Sequence, residues 1–243
     1  MKRTSWPVLP FDLLIGTIVV FFLLRVSSLK RGKQMSLVDR AKNILLNPKA
    51  EWEVIAKESA TVGGLFTGYA IPLSVLPIIG TVIAMGLLGI GAGSLAPMGI
   101  GSVGVGIAAG MGAVGFVIGL IMLYAMSFIV NAVSPSFNGK SDIVSATKLM
   151  AYASTPSWIA GLVAPFLGPV GGLVSLAAVA YVVYLIYTGI GPIMEAPTEK
   201  IAGFTVVIIL IYIVLSAVLT MFVGGMLIAT FFGGAMMAGA ASM

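Results

Sequence analysis

The stretch "SLVDRAKNILLNPKAEWEVIAKE", Ser36 to Glu58, decides the fold because a very long uncharged run comes directly after it. It carries four basic and four acidic side chains, and the next 81 residues, up to Lys140, carry none. Charged residues make up 9% of the chain, against about 25% in ordinary globular proteins, and apolar residues make up 59%. A core of 243 residues cannot hide so much apolar surface, so the sequence predicts an integral membrane protein.

Five apolar segments follow the charged stretch, and each has about the length needed to cross a bilayer. Runs rich in Gly, Pro and polar residues separate them, which is typical of turns between helices. We therefore predict an all-α fold: a polytopic bundle of five transmembrane helices, preceded by short amphipathic helices at 35–60 and followed by a flexible tail at 234–243. The predicted segments lie at residues 65–92, 103–133, 147–165, 170–193 and 201–233.

The distribution of charge predicts the orientation. With five crossings, the stretch Ser36–Glu58 and the loops near Lys140 and Lys200 lie on one face, and the uncharged loops lie on the other. Because basic residues mark the cytoplasmic face, we expect Ser36–Glu58 in the cytoplasm and the C-terminus outside. The expected location is the plasma membrane, as a multi-pass protein.

Residues 1–34 permit two interpretations. Leu13 to Leu24 is a short apolar run between Asp12 and Arg25, which fits an extra, tilted span at about 12–29. Alternatively, the natural chain begins at Met35, because "KRGKQM" can be encoded by a purine-rich run that resembles a ribosome-binding site.

Two short helices are predicted within the charged stretch. Ser36 and Asp39 have the spacing of an N-terminal capping pair, and the apolar residues after them have helical spacing. Asn47 caps a second helix that starts at Pro48 and carries Trp52 and Ile55 on one face. Such helices are expected along the cytoplasmic interface, with the Trp52 indole at headgroup depth. The apolar stripe of the first helix is Leu37, Ala41, Ile44 and Leu45.

Polar residues cluster near the predicted cytoplasmic face. Intramembrane amides and hydroxyls are often functional, but they also serve as hydrogen bonds between helices, which is the interpretation we favour for Asn131 and Ser154. Pro156 is expected to kink the third span and free carbonyl groups for the nearby hydroxyls. The candidate interaction or structural residues are Asn47, Pro48, Trp52, Ile55, Asn131, Asn138, Gly139, Lys140, Asp142, Tyr152, Thr155 and Pro156, with Tyr152, Ser154 and Thr155 expected at the opening of the third span.

Two further patterns have a structural interpretation. Glu195 and Glu199 flank Pro197 and are expected to be solvated loop charges, because two carboxylates without His make a weak metal site. Gly106 with Gly110 and Gly115 with Gly119 give the second span a smooth face, expected to pack within the chain, with a dimer contact as the alternative.

The quoted stretch, with "YAIPLSVLPIIG" after it, resembles the prokaryotic branch of the Yip (Ypt-interacting protein) domain family of five-span membrane proteins. "VNAVSPSFNGKSDIVSATKLMAYASTPSWIAG" and "GIGPIMEAPTEKIAGFTV" extend the resemblance over residues 35 to about 233. The resemblance implies a role in membrane organisation, since eukaryotic members contact prenylated small GTPases and are linked to vesicle budding. Their acidic Tyr-Gly-Pro motif is absent here, which argues against a GTPase partner.

Composition excludes several classes of function. The chain has no Cys and no His, so thiolate and imidazole chemistry is excluded, and we predict no enzymatic activity, no cofactor and no metal site. No basic patch with stacking aromatics indicates nucleic-acid binding. The expected partners are membrane lipids, with a protein at the cytoplasmic face or a second copy as further candidates. A scaffold is the favoured function, and a small-molecule or ion transporter with Asn131, Tyr152 and Thr155 along its path is the alternative.

Overall fold

The computed structural model describes residues 35–90 and 104–227. The extra span or late start considered for residues 1–34, and the tail at 234–243, lie outside this range. The chain divides into two compact units, Met1–Lys42 and Asn43–Met243. Every regular element in the described residues is helical, which confirms the all-α prediction.

Eight helices make up the described residues when consecutive helical turns are joined. They are α1 (Leu37–Leu46), α2 (Pro48–Lys57), α3 (Val62–Leu87), α4 (Val105–Val133, continued by a 3₁₀ turn at Ser134–Phe137), α5 (Ile143–Ala153), α6 (Thr155–Val163, continued by a 3₁₀ turn at Ala164–Leu167), α7 (Pro169–Met194) and α8 (Thr198–Leu227).

In the first unit, the predicted capping pair is present at the start of α1. The Asp39 backbone N–H donates to Ser36 Oγ at 3.1 Å, and the Ser36 hydroxyl donates to Asp39 Oδ2 at 2.6 Å. One orphan N–H at the helix start is thereby satisfied, and the acidic side chain lies at the positive end of the helix dipole.

In the second unit, α3 alternates between α-helical and π-helical turns. The π turns lie at Phe66–Ala70 and Val82–Leu87, and Pro72 follows the first of them. A proline inside a helix removes one backbone hydrogen bond, and a π turn changes the direction in which the next side chains point. In this way Tyr69 is buried, with 4% of its surface exposed.

Several helix ends meet at one end of the second unit, which we call the near end. The Lys140 N–H, in the loop after α4, donates to the Met194 carbonyl at the end of α7 (2.7 Å). The Lys148 ammonium, in α5, donates to the Ile55 carbonyl near the end of α2 (2.9 Å). The loops that carry charge are therefore together, as the charge distribution predicted.

The predicted third span is two helices. α5 begins at the near end, and a break at Ser154 separates it from α6. At the close of α6, the Ala164 backbone lies directly against Gly171, at the start of α7. Since α7 is 26 residues long, roughly 39 Å, the pair α5–α6 runs from the near end to the opposite end of α7.

Four helices are long and apolar enough to cross a membrane: α3, α4 with its 3₁₀ turn, α7 and α8. This finding agrees with an integral membrane protein, and four of the five predicted segments match these helices within a few residues at their described ends. The first segment starts earlier than predicted, at Val62, and ends earlier, at Leu87.

Glycine faces allow two close helix contacts, but not where the sequence pattern placed them. A Cβ on Gly161 of α6 would lie 2.7 Å from Pro77 Cγ of α3, and one on Gly112 of α4 would lie 2.9 Å from Ile78 Cγ2. By contrast, a Cβ on Gly106, Gly115 or Gly119 would meet no atom within 4 Å. The expectation that these three glycines pack within the chain was wrong, because they lie on the outer side of α4.

The last span, α8, packs closely only near its start. Phe204 is fully buried, and its ring stacks on that of Phe137 at a centroid distance of 4.9 Å. Past Ile208, no described side chain of α8 is buried. A groove of about 360 Å³ opens between α4 and α8, lined by Ile129, Leu210, Ile211, Val214, Leu215 and Val218.

Candidate functional site

The candidate site is the place at the near end where α2 packs against α5 and α7. Trp52 is fully buried there, and its indole Nε1–H donates to Thr188 Oγ1 of α7 at 3.2 Å. The indole meets the Tyr152 ring edge-on, with centroids 6.4 Å apart. A Cβ on Gly189 would lie 2.8 Å from Trp52 Cε2, so only glycine leaves room for the indole.

The fold shows what surrounds Trp52. The indole was predicted to lie at headgroup depth, and this depth stays a prediction. Within the chain, Trp52 and Ile55 are both fully enclosed by protein. The reason is that a glycine on α7 and a bonding hydroxyl beside it provide a fitted recess for the indole.

Lys148 is the charged member of the site. Only 6% of its surface is exposed, and its ammonium donates to the Ile55 and Glu58 carbonyls. These groups lie at the C-terminus of α2, where backbone carbonyls lack helical partners and the helix dipole is negative. A buried cation from α5 therefore caps α2.

A second terminal carbonyl is satisfied in the same way. The Tyr181 hydroxyl of α7 donates to the Leu45 carbonyl at the end of α1, at 2.6 Å. Both short helices consequently have a C-terminal carbonyl bonded to a side chain of the spans.

An aromatic row continues from Trp52 into the interior. Tyr152 is followed by Tyr69, with centroids 4.5 Å apart, and Tyr69 by Trp158, at 6.2 Å. The Tyr69 and Thr155 hydroxyls share a hydrogen bond of 2.7 Å, and Thr155 is fully buried. The row therefore links the break in α5–α6 to the π turn of α3.

The break itself follows the predicted chemistry but not the predicted position. Pro156 has no N–H to offer the Tyr152 carbonyl, and the Thr155 hydroxyl donates to that carbonyl at 2.7 Å. The Ser154 hydroxyl donates to Met150 O within its own helix (2.8 Å), so its expected bond between helices was wrong. Tyr152, Ser154 and Thr155 were expected to open the third span, but they lie in the middle of the pair α5–α6, because α5 already begins at Ile143.

The loop after α4 is fastened to the end of α7. Asn138 has a left-handed backbone (φ 56°), and a Cβ on Gly139 would lie 3.0 Å from the Met194 carbonyl. This close approach lets Lys140 bond to α7 twice, through its N–H to Met194 and through its ammonium to Glu195 Oε1 at 2.7 Å. The ion pair is largely exposed and contributes at most about 1 kcal/mol. Glu195 thus has a lysine partner and, as predicted, lies in a loop. The same prediction was wrong for Glu199, which lies in the first turn of α8.

Asp142 caps α5. Its carboxylate accepts hydrogen bonds from the Ser145 hydroxyl (2.6 Å) and from the Val144 and Ser145 N–H groups (both 3.1 Å). The Ser145 hydroxyl bond is the main cause that lowers the pKa of Asp142 below its usual value. Partial burial opposes it, while the amide bonds and the Lys140 charge lower the pKa further.

The remaining candidates lie at the edges of the site. Asn131 accepts a bond from the Ser141 hydroxyl at 3.2 Å, so it holds the loop and not a neighbouring helix. Pro48 is the first residue of α2, as predicted. Asn47 occupies the cap position, but its side chain makes no capping hydrogen bond, since its backbone (φ −141°, ψ 59°) is unsuited to one.

Sequence reasoning missed Lys148, Tyr69, Thr188 and Gly189 as parts of one site. Only Lys148 left a usable signal, because a lysine inside a predicted span needs a partner. The others are ordinary residues of apolar segments, and nothing local marks them.

In the part of the chain that the structure describes, every regular element is helical and four helices have membrane length, which defines a polytopic membrane protein. The family model for the Yip1 domain matches residues 42–221, most of the chain. The protein therefore belongs to the Yip1 domain family. Neither the curated proteins nor the solved structures contain a significant match.

Proposed function

We propose that this protein is a non-catalytic scaffold that organises other components at the cytoplasmic face of the plasma membrane. The observation that carries the proposal is the fixed position of α2. Trp52 and Lys148 hold this helix against the spans, while Lys49, Glu53 and Lys57 remain exposed on it. A charged helix face held rigidly at a membrane surface suits recognition better than chemistry.

The proposal includes five crossings, a cytoplasmic stretch Ser36–Glu58 and an external C-terminus. The extent of α5–α6 supports a fifth crossing, since the pair joins the near end to the start of α7. The lysines described at the near end support its cytoplasmic position. The partner is a protein bound at this face or a second copy, with the surrounding lipids. We further propose that the chain belongs to the prokaryotic branch of its family.

Cysteine labelling tests the topology, and the chain has no native Cys to interfere. A Cys at Ser141 should label only from the cytoplasm, and a Cys at Ser94 or Ser242 only from outside. Labelling of Ser242 from the cytoplasm contradicts five crossings.

The scaffold itself is tested by changing Trp52 and Ile55 together to Ser, which keeps every charge and so the insertion signal. We expect correct insertion, greater protease cleavage around Asn47–Pro48, and loss of the protein that co-purifies from native membranes. Matched changes of the exposed Glu53 and Lys57 to Ser, which leave the net charge unchanged, serve as the control for general damage to α2. Unchanged cleavage and co-purification contradict the scaffold.

A transporter is the second candidate, and one observation favours it. Two interrupted helices, α3 and α5–α6, meet at the buried Tyr69–Thr155 hydroxyl pair, and transporters build substrate sites at such interruptions. Against it, Tyr152 and Thr155 are enclosed, and Asn131 is bonded to the loop instead. Flux across proteoliposomes that is lost in Thr155→Val would favour the transporter.

A further inference from the structure

α2 presents three different flanks around its axis. Trp52 and Ile55 belong to the flank enclosed by protein. At about 100° per residue, Lys49, Glu53 and Lys57 form a second, charged flank. Ala50 and Val54 form a third flank, which is apolar and exposed, with Val54 at 41%. The exposed surface of α2 is thus divided into a charged side and an apolar side.

Another exposed apolar residue lies just before the start of α2. Leu46, the last residue of α1, leaves 73% of its surface exposed. If water surrounded both exposed sides of a helix, charged residues would be expected on both sides. Separation of this kind is typical of helices at the boundary between water and lipid.

The carbonyl next to Leu46 supports the same conclusion. Leu45 O is bonded to the Tyr181 hydroxyl, although water would satisfy an exposed carbonyl at a helix end. In hydrocarbon, by contrast, every backbone polar group needs a protein partner. Tyr181 is two helical turns, about 10 Å, further from the near end than Thr188, the partner of Trp52. The Leu45 end therefore lies deeper along α7 than Trp52 does.

The surface around this contact also suits lipid. The Tyr181 ring lies 5.5 Å from that of Tyr184, which is 39% exposed on the outer side of a predicted span. Tyr187, one turn closer to the near end, is 48% exposed. Exposed tyrosines on a span are typical of the interface between headgroups and acyl chains. Leu46 is thus next in sequence to a residue that is bonded to α7 close to these exposed tyrosines.

We propose that Leu46, Ala50 and Val54 form a lipid-contacting surface, buried at the boundary between headgroups and acyl chains of the near leaflet. The Trp52 stripe faces protein, and the flank of Lys49, Glu53 and Lys57 faces water. The lipid is recognised by its apolar chains, since the flank carries no charge. This surface does not depend on whether the protein is a scaffold or a transporter.

Single-Cys variants test the proposal directly. Val54→Cys and Leu46→Cys are compared with Glu53→Cys, a neighbour on the charged flank. Each variant carries a nitroxide and is reconstituted into vesicles of phosphatidylethanolamine and phosphatidylglycerol. Oxygen, which concentrates in lipid, and a nickel chelate, which stays in water, are the two relaxing agents.

We expect the ratio of oxygen to nickel accessibility to be several-fold higher at Val54 and Leu46 than at Glu53. Equal ratios at all three positions would overturn the proposal, because the flank would then face water. Low accessibility to both agents at Val54 would also overturn it, by showing a protein partner on that flank. Each labelled variant must show wild-type protease resistance at Asn47–Pro48, which confirms that α2 is docked. The spin-label experiment does not use co-purification. A negative result therefore contradicts the lipid-contacting surface without contradicting the scaffold.

Discussion

One short amphipathic helix, α2, and one long span, α8, contrast in how they are held. α2 has ten residues, and four of them are buried, including Trp52. Two hydrogen bonds fix the position of α2: Trp52 donates to α7, and Lys148 donates to a carbonyl near the end of α2. α8 has thirty residues and is far more apolar, yet its described buried side chains end at Ile208.

The difference shows that hydropathy and attachment are separate properties in a membrane protein. Lipid solvates an apolar helix face about as well as another helix does, so α8 needs no protein neighbour along most of its length. A helix with both charged and apolar flanks can rest in neither phase alone. α2 is therefore held by specific contacts, and those contacts are where substitutions should matter most.

The largest effect is expected for Trp52→Ala. Truncating a fully buried Trp typically costs about 3–5 kcal/mol, and here Thr188 also loses a donor. We expect the free energy of docking of α2 on the rest of the protein to fall by this amount. Protease cleavage around Asn47–Pro48 measures the docking. Glu53→Ala, on the exposed charged flank, is the control and should change cleavage little. Similar cleavage of the two variants would contradict the distinction between the flanks.

A somewhat smaller effect is expected for Lys148→Met. The methionine keeps the apolar stem but leaves two terminal carbonyls of α2 without the ammonium. Hydrogen bonds to charged groups are worth about 1.5–3 kcal/mol, and we expect a loss of that order in unfolding free energy in mixed micelles. Lys200→Met, at an exposed lysine of the near end, is the matched control. Equal losses in both variants would mean that Lys148 acts only through its charge.

A third prediction concerns Asp142 and pH. Its pKa is lowered in the folded state, so its contribution to stability is complete above the unfolded pKa of about 3.8 and is lost as the pH falls through the lower folded value. Removing an N-cap costs about 0.5–2 kcal/mol, so Asp142→Ala should show that deficit at neutral pH. The deficit should shrink in acid. Asp142→Asn keeps one capping oxygen but no charge, so it should show a smaller deficit at neutral pH than Asp142→Ala and no pH dependence from this residue. A deficit that stays constant down to pH 2 would contradict the assignment.

The same contrast explains which features sequence reasoning found. Apolar length predicted the four long helices, and the local pattern at Ser36 and Pro48 predicted two helix starts. The capping role of Asp142 was not predicted. Hydropathy does not record which apolar residue faces a neighbour. For that reason the glycine face of α4 was assigned to packing and proved to be exposed, while Gly189 was overlooked.

The contact partner of Trp52 was not predicted, for a related reason. An amphipathic helix beside a span has two apolar solvents available, lipid and protein, and its own sequence does not distinguish them. The residue that makes the indole pack on protein is Thr188, 136 positions further along the chain, together with its glycine neighbour. Pairings at such separation leave no periodic signal, so one sequence predicts that α2 docks but not on what.

The smallest effect is expected at the far part of α8, in a comparison made within one helix. Phe204 is fully buried and stacks on Phe137, whereas Phe222 is 81% exposed. Phe204→Ala should therefore lower the unfolding free energy by about 3 kcal/mol or more, and Phe222→Ala by no more than about 0.5 kcal/mol. Both changes remove the same ring from the same helix, so propensity and expression effects cancel. The measurement is unfolding in mixed micelles over a range of protein concentrations. A large, concentration-dependent loss for Phe222→Ala would show that a second copy covers this part of α8, and the contrast with α2 would then hold only for the single chain.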